Sequence, residues 1–311
     1  MMKTMETNNQ EIKQQTPRVS YKNLVIMSVL LAILLILGAF VYTPYVLLMG
    51  AVAIVTSLFI EFVFARVRKM EYGKDIYGAF ATPLIFTLLM PPELPLYMVV
   101  VGAGFGVFFG KSVFGGLGRN IFNPALVGYL FLLVTFPTQV SQSFIDPVTG
   151  QVLQSIGISD FTFVGTSEHL FGILLGQYAN TIGSTVMAGV WIVGAILLFL
   201  KIADWRIPLT VLLASAGFTV ILAKFYPDQF HDAFFSLFLG QLMFAAFFVA
   251  TDPISGPQTS KGKILFGIGI ALITVVIRGL ADSAEGVVYA IIIMNAVSPM
   301  LEKSLKEEDE S

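Results

Sequence analysis

Long apolar segments are the feature that most restricts the fold of this chain. A transmembrane helix needs about 20 predominantly apolar residues to cross about 30 Å of hydrocarbon. Ten segments reach or approach that length, namely 23–42, 45–66, 77–92, 94–113, 122–137, 184–200, 207–223, 231–250, 264–280 and 284–302. The sequence therefore predicts an all-α, polytopic membrane protein with about ten transmembrane helices.

The composition agrees with a membrane protein and excludes several classes of function. Hydrophobic residues make up 56% of the chain and charged residues 12%, whereas soluble domains carry about 25% charged residues. The net charge of −2 gives no reason to expect a nucleic-acid partner. Cysteine is absent, which excludes a zinc site or iron–sulfur cluster held by thiolates of this chain. The two histidines, His169 and His231, are too far apart in sequence to favour a bis-His haem.

The basic residues predict the orientation in the membrane. With ten helices, all of the 18 Lys and Arg residues except Lys224 and Arg278 fall on the same side as the N-terminus. Cytoplasmic loops accumulate Lys and Arg. We therefore expect a multi-pass protein of the bacterial cytoplasmic (inner) membrane, with both termini in the cytoplasm.

The predicted helices divide into two groups around one long polar loop. A cytoplasmic tail (1–22) precedes five helices (23–137), an external loop (138–183), five more helices (184–302) and a C-terminal tail (303–311). An odd number of helices per half gives the halves opposite orientations, as in transporters with inverted repeats. The sequence predicts two inverted five-helix halves.

Two glycine-rich stretches stand near the end of the first half. Gly102, Gly104, Gly106 and Gly110 put small residues on a helix and favour close approach of another backbone. The run GGLGRN at 115–120 then leads to Asn123 and Pro124, which look like the start of a helix. Free N–H groups at such a start bind anionic or carbonyl groups, and a purely structural turn is the alternative.

Two carboxylates are candidates for an ion path. Glu61 stands inside the apolar run LFIEFVF, where a charge is costly and normally pairs or handles ions. Arg68, seven residues later on the same helix face, is one possible structural partner. Asp252 lies in the polar turn TDPISGPQTSKGK and either caps a helix or coordinates a cation.

Four motifs together resemble one family of membrane subunits. GGLGRNIFNPALVGY, DWRIP, TDPISGPQTSKGK and EGVVYAIIIMNAVSP occur in the order seen in RnfD and NqrB. These are subunits of the ion-translocating ferredoxin:NAD and NADH:quinone oxidoreductase complexes. The resemblance extends from about residue 75 to 302 and is closer to RnfD.

The resemblance implies a covalent flavin in the external loop. In that family, FMN is attached by a phosphoester bond to a Thr in a motif like D-x-x-S-G-A-T. Aligned on this chain, the motif places its Asp at Asp160 and its acceptor at Thr166, with Gly165 before it. The family Ser and Gly fall on Phe163 and Val164, so the altered motif leaves both a modified and an unmodified Thr166 open.

The resemblance also implies a role within a larger complex. The chain would relay electrons through FMN, and through a second, non-covalent flavin such as riboflavin, coupled to movement of Na⁺ or H⁺. It would not be catalytic alone, and partner subunits with iron–sulfur and flavin cofactors would deliver the electrons. Two alternatives remain, a channel or carrier for a small solute without a redox role and a family scaffold without flavin.

Overall fold

A computed structural model describes most of the two helical halves. The described residues are 20–69, 79–153, 171–172, 174–227, 230, 233–238, 240–281 and 285–310. Asp160, Gly165 and Thr166, the candidate flavin residues of the loop, lie outside them, as do His169 and His231.

The first half is a series of apolar helices. The elements are α1 (Tyr21–Val41), α2 (Tyr45–Val67), α3 (Ala81–Leu89), α4 (Leu96–Val107), which continues into a π-helical turn (Phe108–Ser112), and α5 (Pro124–Thr135). A helix satisfies its backbone hydrogen bonds internally, which hydrocarbon demands of any segment that it surrounds. The predicted segments of this half therefore each contain a helix.

In its described residues, the connection between the halves consists of short helices and a β-hairpin. It contains α6 (Pro137–Ser141), β1 (Phe144–Ile145), β2 (Val152–Leu153) and α7 (Ile182–Thr185). The strands pair antiparallel, with Phe144 opposite Leu153. Asp146 closes the hairpin turn because its carboxylate accepts hydrogen bonds from the backbone N–H groups of Val148 and Thr149.

The second half is also a series of helices. Its elements are α8 (Met187–Phe199), α9 (Arg206–Phe225), α10 (Ala233–Ser236), α11 (Leu242–Phe244), which continues into a π-helical turn (Ala245–Val249), α12 (Ser260–Ala281) and α13 (Gly286–Glu310). The predicted segment 231–250 is thus divided between α10 and α11.

The helix lengths confirm a polytopic membrane protein. Five described helices are long and apolar enough to span a bilayer: Tyr21–Val41, Tyr45–Val67, Arg206–Phe225, Ser260–Ala281 and Gly286–Ser304. Large apolar side chains such as Phe40 and Phe199 are more than four-fifths exposed on the outside of the bundle. Such side chains suit contact with lipid rather than with water.

Helix α3 is too short to span a bilayer and is enclosed by other parts of the chain. Its nine residues rise only about 14 Å, and all of them except Thr82 are buried. The chain then leaves the helix at Met90 and continues through buried Pro91 and Pro92. Non-helical backbone at this depth is tolerated where protein surrounds it, so α3 ends inside the bundle.

The two halves share one pattern of helix packing. In the first half α4 packs against α2 and α5, and in the second half α12 packs against α9 and α13. Between the halves, α1 contacts α8 and α5 contacts α13. The four contacts within the halves are related in the way that an internal repeat predicts. The opposite orientation of the halves stays a prediction.

Glycines allow α4 and α5 to pack backbone against backbone. A Cβ atom at Gly106 would collide with the carbonyl oxygen of Pro124, and one at Gly128 would collide with that of Gly102. A Cβ at Gly110 would lie 2.7 Å from the Cα of Pro124. The predicted packing role of the glycine-rich helix is therefore confirmed.

Candidate functional site

A small cavity with a mostly apolar lining and five polar residues lies where the two halves meet, at the start of α5. The cavity has a volume of about 50 Å³ and is referred to below as the junction cavity. Its polar lining comes from both halves and consists of Thr82, Lys111, Asn120, Asn123 and Asp252. Three of the site residues predicted from sequence, Asn123, Pro124 and Asp252, thus line one cavity.

Asn123 caps helix α5, and Pro124 occupies its first turn. The Oδ1 atom of Asn123 accepts hydrogen bonds from the backbone N–H groups of Ala125 at 3.0 Å and Leu126 at 3.5 Å. Asn is among the preferred N-cap residues, and Pro suits the first helical position because it has no N–H to satisfy. The predicted helix start is correct, and its N–H groups are already bound by the chain itself.

Asp252 organises the turn that follows α11. One carboxylate oxygen accepts from the backbone N–H of Ile254 at 3.1 Å, and the other from the Ser255 hydroxyl at 2.8 Å and the Asn123 amide at 3.5 Å. Burial raises the pKa of Asp252 above its usual value, although these backbone and hydroxyl donors and Lys111 oppose the rise. The carboxylate is therefore held in place while its proton affinity is increased.

Asn295 of helix α13 contacts both the start of α5 at Asn123 and the turn that contains Asp252. Its Oδ1 atom accepts from the backbone N–H of Asn123 at 3.3 Å, and its amide donates to the Ser255 carbonyl at 3.1 Å. The side chain is 1% exposed. Sequence reasoning did not select Asn295 as a site residue, although an Asn inside an apolar helix is the kind of signal that marks a functional or structural polar contact.

Glu61 forms a buried ion pair with Lys111. The Nζ–Oε1 distance is 2.6 Å, and the side chains are 2% (Lys111) and 6% (Glu61) exposed. Arg68, the partner suggested by sequence, instead has its guanidinium 4.5 Å from the ring centre of Phe64. An ion pair is the arrangement expected for a charge inside the membrane region.

Lys111 is a site residue that the sequence prediction misplaced. The orientation prediction treats it as a basic residue of a loop, but it lies buried in the π-helical turn after α4 and lines the junction cavity. π-Helical turns occur often at functional sites, and nothing in the sequence indicates this one. Lys111 thus stands between two carboxylates, paired with Glu61 and electrostatically coupled to Asp252.

The size of the cavity limits what it holds in this conformation. Its volume of about 50 Å³ exceeds the roughly 10–15 Å³ that one water molecule needs and is well below the roughly 300–1,000 Å³ of ordinary ligand pockets. Water or one small cation fits, whereas a flavin ring system requires the start of α5 and the Asp252 turn to move apart. Among the described residues no group of three or more His, Cys, Asp or Glu side chains gathers as for a metal ion.

The fold and this site define a class of protein, a polytopic membrane protein with buried ionisable groups among its helices. Comparison with known proteins gives the family. The model of the NQR2, RnfD, RnfE family matches residues 12–309, and the chain belongs to that family.

Individual relatives agree with this assignment. A subunit of the Na⁺-translocating NADH-quinone reductase of Azotobacter vinelandii is 36% identical over 271 residues, and the same subunit of Ectopseudomonas mendocina is 34% identical over 269. Each alignment covers 83% of this chain and 66% of the relative. A subunit of the ion-translocating oxidoreductase complex of Actinobacillus succinogenes is 32% identical over 300 residues, which covers 83% of this chain and 84% of the relative.

Proposed function

We propose that this chain is a flavin-carrying membrane subunit of an ion-translocating oxidoreductase complex, in which it relays electrons coupled to movement of Na⁺ or H⁺. The family match over residues 12–309 is the observation that carries the proposal. The named relatives are subunits of a Na⁺-translocating NADH-quinone reductase and of an ion-translocating oxidoreductase complex. The other subunits of such a complex are the proposed partners, in the bacterial inner membrane.

The buried charges support the ion-translocating part of this function. Ionisable groups inside a membrane protein are costly and usually mark an ion path or a proton relay. Lys111 and Asp252 line the junction cavity, and Lys111 is also paired with the Glu61 carboxylate. A cation that enters the cavity would restore the balance of charge when both carboxylates are ionised.

The flavin supplies the redox chemistry when bound, since an isoalloxazine accepts one or two electrons. Thr166 is the proposed attachment point of FMN, with Asp160 and Gly165 as neighbouring determinants. A second flavin such as riboflavin is proposed to bind without a covalent bond. Asn123 and Pro124 fix the start of α5 at the edge of the junction cavity, and the Asn123 amide would offer polar contacts to a cofactor there.

The proposal is tested by detecting flavin that is covalently attached to this chain. The chain is expressed with its partner subunits and the flavin transferase, and flavin fluorescence is read on its band in a denaturing gel. We expect fluorescence in the parent and in the control Thr162→Val, and none in Thr166→Val. A dark parent band contradicts covalent attachment, and the absence of any extractable flavin would contradict the electron relay as well.

The departures from the family motif favour one second candidate. Phe163 and Val164 stand where the family has Ser and Gly, and a transferase that reads small residues would not modify Thr166. The chain would then be a scaffold that holds other subunits. A dark band in a complex that assembles and retains all partners is the result expected for that role.

A further inference from the structure

A second polar cluster lies deeper in the bundle, where α3 ends and α11 begins. The Nε2 atom of Gln241 lies 2.7 Å from an oxygen of the Glu285 carboxylate, 2.8 Å from the Tyr129 hydroxyl and 3.3 Å from the Leu89 carbonyl. These four residues are called the Gln241 cluster below. Leu89 is about 10 Å along α3 from Thr82 of the junction cavity, so the two sites are separate.

The hydrogen-bond donors and acceptors of the Gln241 side chain do not match those of its neighbours. Its amide nitrogen carries two hydrogens but lies within hydrogen-bond distance of three oxygen atoms. Its Oε1 atom is buried and has no hydrogen-bond donor among the described residues. Leaving a buried polar atom without a partner is costly. The side chain itself is 0% exposed, so bulk water does not relieve that cost.

Three convergent oxygens of this kind suit a hard cation better than an amide. Hard cations are bound by carboxylate, hydroxyl and carbonyl oxygens, and the cluster provides one of each. Rotation of the Gln241 amide would bring Oε1 toward the same point and remove its unpaired state. In the present conformation, the Gln241 amide nitrogen lies where the cation would bind.

The backbone around the cluster has the form of an ion site in a broken helix. Leu89 is the last residue of α3, so its carbonyl lies at the negative end of the helix dipole. Gly240, just before Gln241, has a φ of 57°, which a glycine tolerates and which breaks the helix there. Interrupted helices whose unwound carbonyls coordinate ions are typical of membrane transporters.

One basic residue sets the electrostatics of the cluster. Arg278 of α12 is 8% exposed, donates to the Ser236 carbonyl at 2.8 Å and attracts the Glu285 carboxylate. It offsets part of the negative charge that a bound cation would experience. Binding would then be weak enough to allow release, as transport requires.

We propose that the Gln241 cluster binds an alkali cation, Na⁺, through the Leu89 carbonyl, the Tyr129 hydroxyl, the Glu285 carboxylate and the rotated Gln241 amide oxygen. The inference rests on the proposed function, because it assigns residues to the transported ion. Its test measures ion binding and not electron transfer, so the two fail separately.

The experiment is equilibrium binding of radioactive Na⁺ to the purified complex, with choline as the balancing cation. Gln241→Leu removes one oxygen ligand, and Glu285→Gln removes the negative charge of another. Each should raise the half-saturating Na⁺ concentration of one site about tenfold or more. Gln241→Glu keeps an oxygen ligand and adds negative charge, so it should lower that concentration. Gln142→Leu, on an exposed residue, is the matched control and should bind as the parent does.

A merely structural Gln241 gives a different result. In that case Gln241→Glu disturbs the cluster as Gln241→Leu does, and neither variant improves Na⁺ binding. Equal binding by the parent, Gln241→Leu and Glu285→Gln overturns the proposal, whether or not the complex transfers electrons. Assembly of each variant complex is checked by size-exclusion chromatography, and Gln241→Glu provides the gain of affinity that a folding defect does not produce.

Discussion

Lys111 illustrates how a single residue acquires its role from its surroundings. In the sequence it follows a glycine-rich helix and looks like a basic residue at the cytoplasmic boundary. In the structure the π-helical turn Phe108–Ser112 directs it into the bundle, where it meets Glu61 of α2. Removing one member of a buried ion pair leaves the other charge without compensation in a medium of low dielectric constant.

We therefore predict that Lys111→Met destabilises the protein by about 3–5 kcal/mol. The double variant Glu61→Gln/Lys111→Met, which has no charge at either position, should recover more than half of that loss. The measurement is the free energy of unfolding in detergent micelles, from denaturant titration. A Lys111→Met variant within about 0.5 kcal/mol of the parent, the range of ordinary surface substitutions, would show that the pair is not structural.

Two helices depend on glycine for their contact, and this contact places the functional site. Helices α4 and α5 meet at Gly106 and Gly128, where an added Cβ atom would reach the backbone of the other helix. Because α5 begins at the junction cavity, a change in its distance from α4 moves Asn123 as well. Close contacts between small residues are a common means of helix association in membranes, where the hydrophobic effect between helices is lost.

We expect Gly106→Ala to destabilise the protein by about 1–3 kcal/mol, the usual cost of overpacking. Its new methyl group meets the backbone of Pro124 and Gly128, which has no flexible side chain to move aside. Gly217→Ala on α9 is the matched control, because a Cβ there has no atom within 4 Å. The control should be neutral or stabilising by about 0.5–1 kcal/mol. The measurement is the thermal unfolding midpoint of each variant. Equal midpoints for the two variants would exclude a tight α4–α5 contact.

The element boundaries also show where sequence reasoning loses accuracy. The predicted segment 77–92 contains α3, which ends at Leu89 although the buried chain continues through Met90 and Pro91. Hydropathy records burial, and these residues are buried without being helical. Proline cannot donate a backbone hydrogen bond and disfavours helix in the preceding residue, so the helix stops before the apolar segment does.

At the scale of the whole molecule, ionic contacts at the ends of the membrane spans connect elements that are far apart in sequence. Asp204, in the connection between α8 and α9, accepts a hydrogen bond from Lys263 of α12 at 2.8 Å. Its other oxygen accepts from the backbone N–H of Arg206 at 3.0 Å. Burial alone would raise the pKa of Asp204, but Lys263 and Arg206 outweigh it and hold the pKa below its usual value of 3.8.

This lowered pKa predicts the direction of one pH effect on stability. Because the folded state favours the ionised form, the contribution of Asp204 is fully present above its unfolded pKa and is lost as the pH falls through the lower folded pKa. The parent should be more stable than Asp204→Asn by a constant amount between pH 5 and 8, about 1 kcal/mol or less for a partly exposed pair. That difference should shrink below about pH 4. A difference that grows on acidification would contradict this assignment.

Sequence alone determined the class, the family and the positions of the helical segments. Hydropathy, basic-residue counts and the run GGLGRNIFNPALVGY are properties of continuous stretches, so they can be read without knowing which helices touch. The candidate residues Asn123, Pro124, Glu61 and Asp252 were also visible, since each is a polar residue or helix signal at an apolar boundary. The role of Thr166 stays a prediction.

Only the tertiary structure decided the partners of these residues. Glu61 meets Lys111 across 50 positions, Asn123 meets Asn295 across 172, and Gln241 meets Leu89 across 152. A helix face does not specify which neighbour it packs against, and a π-helical turn rotates every side chain that follows it. The polar contacts therefore depend on how helices far apart in the sequence cross one another, which no single stretch of the chain determines.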